Sequence, residues 1–139
     1  MAPTDVDRVA ELEAESFSTP WRADTFRTLL ERSAVELWVI EDERTVAGYA
    51  VLWCVLDQGE LANLAVDESR RGRGLGGRLL DRVLDVARER GVRTLFLEVR
   101  VSNEAAQELY ASRGFSELGR RKNYYDQPRE DARLLEKRL

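Results

Sequence analysis

The sequence predicts an α/β protein with a mixed sheet. Residues 60–66 form an apolar segment that is followed by a glycine-rich loop and then by apolar residues at helical spacing. The next apolar segment, Thr94–Val99, is joined to the first by that helix, so these two strands should be parallel. Short turns elsewhere indicate antiparallel neighbours. At 139 residues, positions 1–139 fit a single domain.

The chain should begin with two helices. Thr4 followed by Asp7 resembles a capping box for a helix that runs to about Ser16. A turn containing a proline follows, and a second helix is expected from about Arg22 to Ser33. The residues expected to face the core are Val6, Val9, Ala10 and Leu12 in the first helix and Phe26, Leu29 and Leu30 in the second.

Three antiparallel strands should follow the helices. Leu37–Glu41 and Thr45–Leu56 are predicted to form a hairpin across residues 42–44. A second turn, over residues 57–59, leads into the strand Glu60–Val66. These strands carry the chain to the glycine-rich loop.

Helices and strands should alternate in the second half of the chain. The helix after the loop is expected to end near Arg90, because Gly91 suits the left-handed backbone that often follows a helix. Thr94–Val99 is the next strand. The last predicted elements are a helix from Asn103 to Arg113 stopped by Gly114, strands near Phe115–Tyr124 and Ala132–Leu139, and a loop over residues 126–129.

Composition restricts the possible chemistry and location. The sequence has no histidine, which excludes Ser-His or Cys-His catalysis and histidine-ligated metal sites. Its single cysteine, Cys54, cannot form an internal disulfide, in agreement with a reducing compartment. The sequence shows neither a secretory signal nor an apolar run that could cross a bilayer. We therefore expect a cytoplasmic protein with no metal and no membrane contact.

The net charge indicates which classes of macromolecule the protein could bind. A net charge of −4 argues against general nucleic-acid affinity, because such affinity depends on a basic surface. A basic peptide is a better electrostatic match.

The segment Arg70–Gly77 carries the strongest functional signal. Its closely spaced glycines allow successive N–H groups to turn toward one point, and the start of the helix adds unpaired donors and a positive dipole end. Its three arginines suit phosphate oxygens. The alternative is a solvated loop, but the order of strand, loop and helix favours a site for a ligand with a diphosphate.

A dinucleotide-binding fold is a competing interpretation. Gly72, Gly74 and Gly77 satisfy the pattern G-x-G-x-x-G, and Glu98 lies at the expected position about 20 residues further on, where it would bind a ribose hydroxyl. The motif lies in the middle of the chain, however, and too few residues follow it to complete a doubly wound sheet. The arginine density also exceeds what one pyrophosphate requires.

The chain resembles the GNAT family of acetyl-CoA-dependent N-acetyltransferases. Arg71–Gly76 matches that family's Gln/Arg-x-x-Gly-x-Gly/Ala loop, and the order of elements agrees over essentially the whole chain. Four shorter segments are similar to the RimI-type enzymes, which acetylate the N-terminal alanine of a ribosomal protein. These segments are Pro20-Trp21, Leu97–Asn103, Leu109–Phe115 and Arg121–Tyr125. Two inserted residues, Ser18 and Thr19, separate Phe17 from Pro20 at the first of these.

The resemblance implies a particular sheet and co-substrate. The expected fold is GNAT-like, with a splayed, mixed, mostly antiparallel sheet of about six to seven strands flanked by about four helices. Acetyl-CoA would be the co-substrate, and its pantetheine arm would lie where the two parallel strands separate. The residues expected to bind it are Leu64, Ala65, Val66, Arg71, Gly72, Arg73, Gly74, Leu75, Gly76 and Asn103. Asn103, at the start of a helix, is also an ordinary N-cap.

The resemblance also implies catalytic roles. Glu98 interrupts an apolar strand and would be the base, directly or through water; the alternative is a carboxylate satisfied by a neighbouring arginine. Glu60 is a second candidate base. Tyr110, seven residues after Asn103 on the same helical face, would be the acid, or else a core aromatic. The residues expected either to line the acceptor groove or to pack in the core are Trp21, Tyr124 and Tyr125.

Besides the dinucleotide-binding interpretation, three functional hypotheses remain open. The leading one is an acetyltransferase for the N-terminal alanine of a ribosomal protein, whose tail would be the partner. The second keeps the acetyl transfer but gives it a small amine or a lysine side chain as acceptor. The third is a non-catalytic CoA-binding module.

Overall fold

A computed structural model describes residues 1–125 and 129–139. The elements follow one another in the predicted order, and the α/β architecture with a mixed sheet is confirmed. The helices are α1 (Val6–Ser16), α2 (Ala23–Leu30), α3 (Leu75–Glu89) and α4 (Glu104–Ser112). The strands are β1 (Val35–Asp42), β2 (Thr45–Val55), β3 (Gln58–Val66), β4 (Thr94–Arg100), β5 (Ser116–Tyr125) and β6 (Glu130–Arg138). Short 3-10 turns cover Pro3–Asp5 and Glu68–Arg70.

The six strands form one sheet in the order β1-β2-β3-β4-β6-β5. Its single parallel pair in the described part of the chain, β3 with β4, joins residues 58–60 to residues 94–96. Beyond Glu60 the ladder stops, and the two strands separate as expected. A bulge accompanies the separation: Leu61 pairs with Leu52 and Asn63 with Val51, so Ala62 is the extra residue on β3. A bulge of this kind bends a strand and increases its local twist.

Helices pack on both faces of the sheet. On one face α3 buries apolar side chains such as Leu80 and Val83 against β2, β3 and β4. On the other face α1 and α2 cover the β1–β3 half, where Phe26 stacks edge-on against Tyr49 with ring centroids 5.8 Å apart. The helices thus fix the two halves of the sheet on either side of the opening between β3 and β4.

The ends of several elements differ from the sequence-based expectations. The predicted Thr4–Asp7 capping box is not formed; instead the Asp5 carboxylate accepts a hydrogen bond from the Ala2 N–H at 2.8 Å, one turn earlier. The second helix ends at Leu30 rather than Ser33. Residues 126–128 of the predicted loop lie outside the described residues. None of the described helices is both long and apolar enough to span a membrane.

Candidate active site

The glycine-rich loop has the geometry of an anion cradle. Gly72 and Gly74 have φ values of +81° and +77°, in the left-handed region that glycine adopts without steric cost. A Cβ at either position would meet nothing within 4 Å, so conformation rather than space requires glycine there. The first bond within α3 runs from the Arg78 N–H to the Gly74 carbonyl at 3.1 Å. The preceding N–H groups of the helix therefore have no acceptor within the helix.

A cavity of about 350 Å³ lies beside the loop. Nearly all of the residues predicted to bind the co-substrate line this cavity. They are Leu64, Ala65, Val66, Arg71, Gly72, Gly74, Leu75, Gly76 and Asn103. Arg73 is the exception, because its guanidinium pairs with the Asp42 carboxylate at 3.0 Å and it does not line the cavity. Arg70 donates to the Asp42 carbonyl at 3.1 Å. Two of the three loop arginines thus hold the loop against the β1–β2 hairpin.

The free edge of β3 faces the opening in the sheet. The Asp67 N–H donates to the Ala47 carbonyl of β2 at 2.7 Å, so the backbone groups of Asp67 face β2. In an antiparallel ladder the backbone groups of every second residue face the neighbouring strand, so the N–H and C=O groups of Leu64 and Val66 are directed away from β2. The Val66 carbonyl accepts a hydrogen bond from the Arg71 Nε at 3.3 Å. An extended ligand in the opening could pair with this edge like an added strand.

A smaller cavity of about 100 Å³ lies at the opening itself. Tyr110 lines it, is 7% exposed and packs edge-on against Phe115 with ring centroids 5.6 Å apart. Burial, and secondarily the neighbouring Tyr125, raises the pKa of Tyr110 well above its ordinary value. Asn103 lines both cavities, and its Oδ1 caps α4 by accepting the Ala106 N–H at 3.2 Å. The geometry therefore gives Asn103 its cap role and places it at the candidate site.

Glu98 lies between this opening and a third cavity of about 540 Å³. Its Oε1 is 3.2 Å from the Nε of Arg121, and its side chain is 18% exposed. The Tyr124 hydroxyl also donates to Glu98, which raises the pKa of that tyrosine. Glu98 therefore has an arginine partner, as the alternative role predicted from the sequence requires, and it also lines both cavities. Glu60, the second candidate base, is exposed and lines the same large cavity.

The predicted acceptor-groove aromatics all line this large cavity. Trp21 also packs against Phe26, with ring centroids 5.7 Å apart. Tyr124 and Tyr125 follow an irregularity in β5, where Asn123 has φ +52° and the pairing register shifts. Burial raises the pKa of Tyr125 to about 12. The three aromatics therefore combine packing with a position at the groove.

Glu13, Asn63 and Arg100 line cavities of the site and were not identified as site residues from the sequence. Glu13 is buried in α1, and Arg100 lies with its guanidinium 4.3 Å from the centre of the Tyr125 ring. The sequence did contain a signal for Glu13: it lies four residues after Val9 and seven after Val6, so it falls on the apolar stripe of the helix. A charged residue on such a stripe is unusual and needs hydrogen-bond partners.

An anion cradle and a groove lined by carboxylates and aromatics meet at the opening of a splayed sheet. This arrangement is that of a transferase in which an activated donor and an acceptor approach from opposite sides. The chain belongs to the acetyltransferase (GNAT) family, whose model matches residues 6–115. The dinucleotide-binding interpretation of the glycine loop is therefore wrong, because a doubly wound fold needs a mostly parallel sheet and this one has a single parallel pair among the described strands.

Within this family, the chain is similar to N-acetyltransferases that are named for a ribosomal protein. The chain is 39% identical over 137 residues to the [ribosomal protein bS18]-alanine N-acetyltransferase of Salmonella typhimurium, covering 97% of this chain and 92% of that protein. It is 37% identical over 134 residues to the protein of the same name from Escherichia coli K12, covering 95% and 90%. The crystal structure of the ribosomal-protein-S18-alanine N-acetyltransferase from Escherichia coli superimposes with a TM-score of 0.91 at 35% identity, covering 100% of this chain and 90% of that one.

Proposed function

We propose that this protein transfers the acetyl group of acetyl-CoA to the N-terminal α-amine, an alanine, of a ribosomal protein. The observation that carries the proposal is the opening between β3 and β4, with the loop cavity on one side and Glu98 on the other. The names of the similar proteins from Salmonella and Escherichia coli support the choice of acceptor. A ribosomal-protein acceptor would also place the reaction in the cytoplasm.

The described residues suit acetyl-CoA as donor substrate. The N–H groups at the start of α3 and the Arg71 guanidinium would hold the pyrophosphate. The outward-facing backbone of Leu64 and Val66 would pair with the amides of the pantetheine arm, once Arg71 leaves the Val66 carbonyl for a phosphate. Acetyl-CoA supplies a thioester, which an amine can attack without a covalent enzyme intermediate.

The protein's own groups would then manage charge and protons. An α-amine has a pKa of about 7.7–8.0, against about 10.4 for lysine, so part of it is already neutral near pH 7. Glu98 accepts the remaining proton, directly or through water. The Leu64 N–H, which faces the opening, stabilises the oxyanion that develops on the carbonyl. Tyr110, kept neutral by burial, donates a proton to the departing thiolate, and the second proton that the nitrogen loses as the amide forms restores the phenol.

Peptide acetylation measured by mass spectrometry tests the proposal. A peptide that begins with alanine should be acetylated at its α-amine, whereas the same peptide with a blocked N-terminus and an internal lysine should react far more slowly. Equal rates on the two peptides would contradict N-terminal specificity and favour a lysine or small-amine acceptor. Binding of CoA without turnover of any amine would instead favour the non-catalytic module.

Gly74→Ala is expected to weaken acetyl-CoA binding roughly tenfold, because a Cβ disfavours the left-handed φ that aims the N–H groups at the phosphates. Gly91→Ala is the matched control: Gly91 has φ +81°, and a Cβ there also meets nothing within 4 Å. Both substitutions impose the same backbone strain, but Gly91 follows the far end of α3. Isothermal titration should show weaker binding for Gly74→Ala alone; equal affinities would show that the loop does not cradle the co-substrate.

A further inference from the structure

The cavity of about 540 Å³ that is lined by Glu98 and the three aromatics is called the acceptor cavity from here on. One buried carboxylate beside it has no part in the chemistry described above. Glu13 is 1% exposed and is the sole buried charged side chain in the part of the chain that the structure describes. It accepts hydrogen bonds from the Tyr49 hydroxyl, from the Asn63 Nδ2 at 2.6 Å and from the Trp21 backbone N–H at 2.9 Å. All three partners donate, which is the pattern that an ionised carboxylate requires.

The burial of Glu13 is not explained by an ion pair. The ion pairs among residues 1–125 and 129–139 leave it without an arginine or lysine partner. A buried charge with only neutral donors is less favourable for stability than an apolar side chain of similar size. Its place at the wall of the acceptor cavity therefore points to a role in binding rather than in packing.

Asn63 connects Glu13 to the candidate reaction centre. It immediately precedes Leu64 on β3, next to the bulge, and lines both the acceptor cavity and the small cavity at the opening. Because the side-chain amide is planar, fixing its Nδ2 on Glu13 also fixes the direction of its Oδ1. A carboxylate hydrogen-bonded to the amide nitrogen polarises the group and makes its oxygen a stronger acceptor.

We propose that Glu13 is a positioning residue for the acceptor amine and acts through Asn63, whose side-chain oxygen accepts an N–H of the incoming α-amine. The inference rests on the proposed function and adds to it a determinant of acceptor binding. The negative charge behind the amide favours a strongly donating or cationic N–H group. A peptide whose α-amine is already acetylated loses the charge and all but one of these hydrogens, so the pair also distinguishes substrate from product.

Steady-state kinetics with an alanine-initiated peptide test the pair. Glu13→Gln and Asn63→Ala should each raise the KM for the peptide roughly tenfold, as expected for loss of a hydrogen bond to a charged group, with kcat changed less than about threefold. The affinity for acetyl-CoA should not change. Because Glu13 acts through Asn63, the double variant should be no worse than Asn63→Ala alone, whereas independent roles would multiply the two losses.

Peptide binding in the presence of CoA gives a second readout. The wild-type protein should bind the free-amine peptide more tightly than its N-acetylated form, and Glu13→Gln should lose most of that preference. Val83→Ala is the stability control: Val83 is fully buried in α3 and lines none of the three cavities of the site. It should lower Tm and leave the KM for the peptide unchanged.

The failure of this inference differs from the failure of the proposed function. If the wild-type protein acetylates the peptide and the KM for the peptide is unchanged in Glu13→Gln and Asn63→Ala, the inference is overturned and the proposed function stands. Multiplying effects in the double variant, or a KM in Val83→Ala raised as much as in Glu13→Gln, would also overturn it. A wild-type protein that does not acetylate the peptide would overturn the proposed function, and the inference with it.

Discussion

Replacing Glu98 by glutamine is expected to lower kcat/KM by about 10²–10³-fold near pH 6.5, and by progressively less as the pH rises above about 8. At low pH the acceptor is an ammonium and must lose a proton before it attacks, so the reaction depends on the base. At high pH the amine is already neutral, and the base contributes little. The ratio of wild-type to variant kcat/KM across a pH series with an alanine-initiated peptide measures this effect.

Two further variants separate catalysis from structure at Glu98. Glu60→Gln changes the second candidate base, which lines the same cavity, and should cost much less activity at low pH. Arg121→Gln removes the ion-pair partner of Glu98 and should leave most of the activity. A loss in Glu98→Gln that does not vary with pH, together with a similar loss in Arg121→Gln, would mean that the carboxylate serves only the ion pair.

Tyr110→Phe is expected to lower kcat by about 10²-fold or more, with the affinity for acetyl-CoA nearly intact. The thiolate that leaves resembles that of cysteine, with a pKa of about 8.5, so a phenol can donate a proton as the carbon–sulfur bond breaks. Phenylalanine keeps the ring contact with Phe115 and removes only the hydroxyl. Turnover measured with saturating substrates, together with titration of acetyl-CoA, gives the two quantities.

The pH profile distinguishes this variant from Glu98→Gln. Burial raises the pKa of Tyr110 above its ordinary value of about 10, so the phenol stays protonated between about pH 6 and pH 9. The loss in Tyr110→Phe should therefore be the same throughout that range. Unchanged kcat would assign Tyr110 to the core alone, and a loss confined to the affinity for acetyl-CoA would make it a binding residue.

The fold could be predicted from the sequence because its signals are local. Gly91 and Gly114 follow their helices with φ values of +81° and +87°, as helix-ending glycines should. The connecting helix correctly predicted that Thr94–Val99 is parallel to the preceding strand. The end of α2 at Leu30 could not be predicted, because residues 31–33 carry no glycine or proline that would stop a helix.

The partners of the site residues could not be predicted, because they depend on contacts between distant segments. Arg73 is separated from Asp42 by 31 positions, and nothing local indicates that this arginine pairs with a hairpin instead of facing a ligand. Glu13 and Asn63 are 50 positions apart, and only the folded sheet brings them together. The sequence thus predicts which residue types are present at the site, whereas tertiary packing determines which of them remain available to a substrate.

The short ladder between β3 and β4 has a mechanical consequence. Among the described residues, the strand ladder between the β1–β3 half-sheet and the rest of the sheet consists of only three residue pairs, at positions 58–60 and 94–96. Beyond these pairs, the β3 backbone groups that face the gap have no partner on β4 among the described residues, so a molecule lodged in the gap would bridge both halves of the sheet and shield those groups. Amide hydrogen exchange along residues 61–66 should therefore slow markedly when CoA is added, and the first substrate would order the wall against which the second one docks.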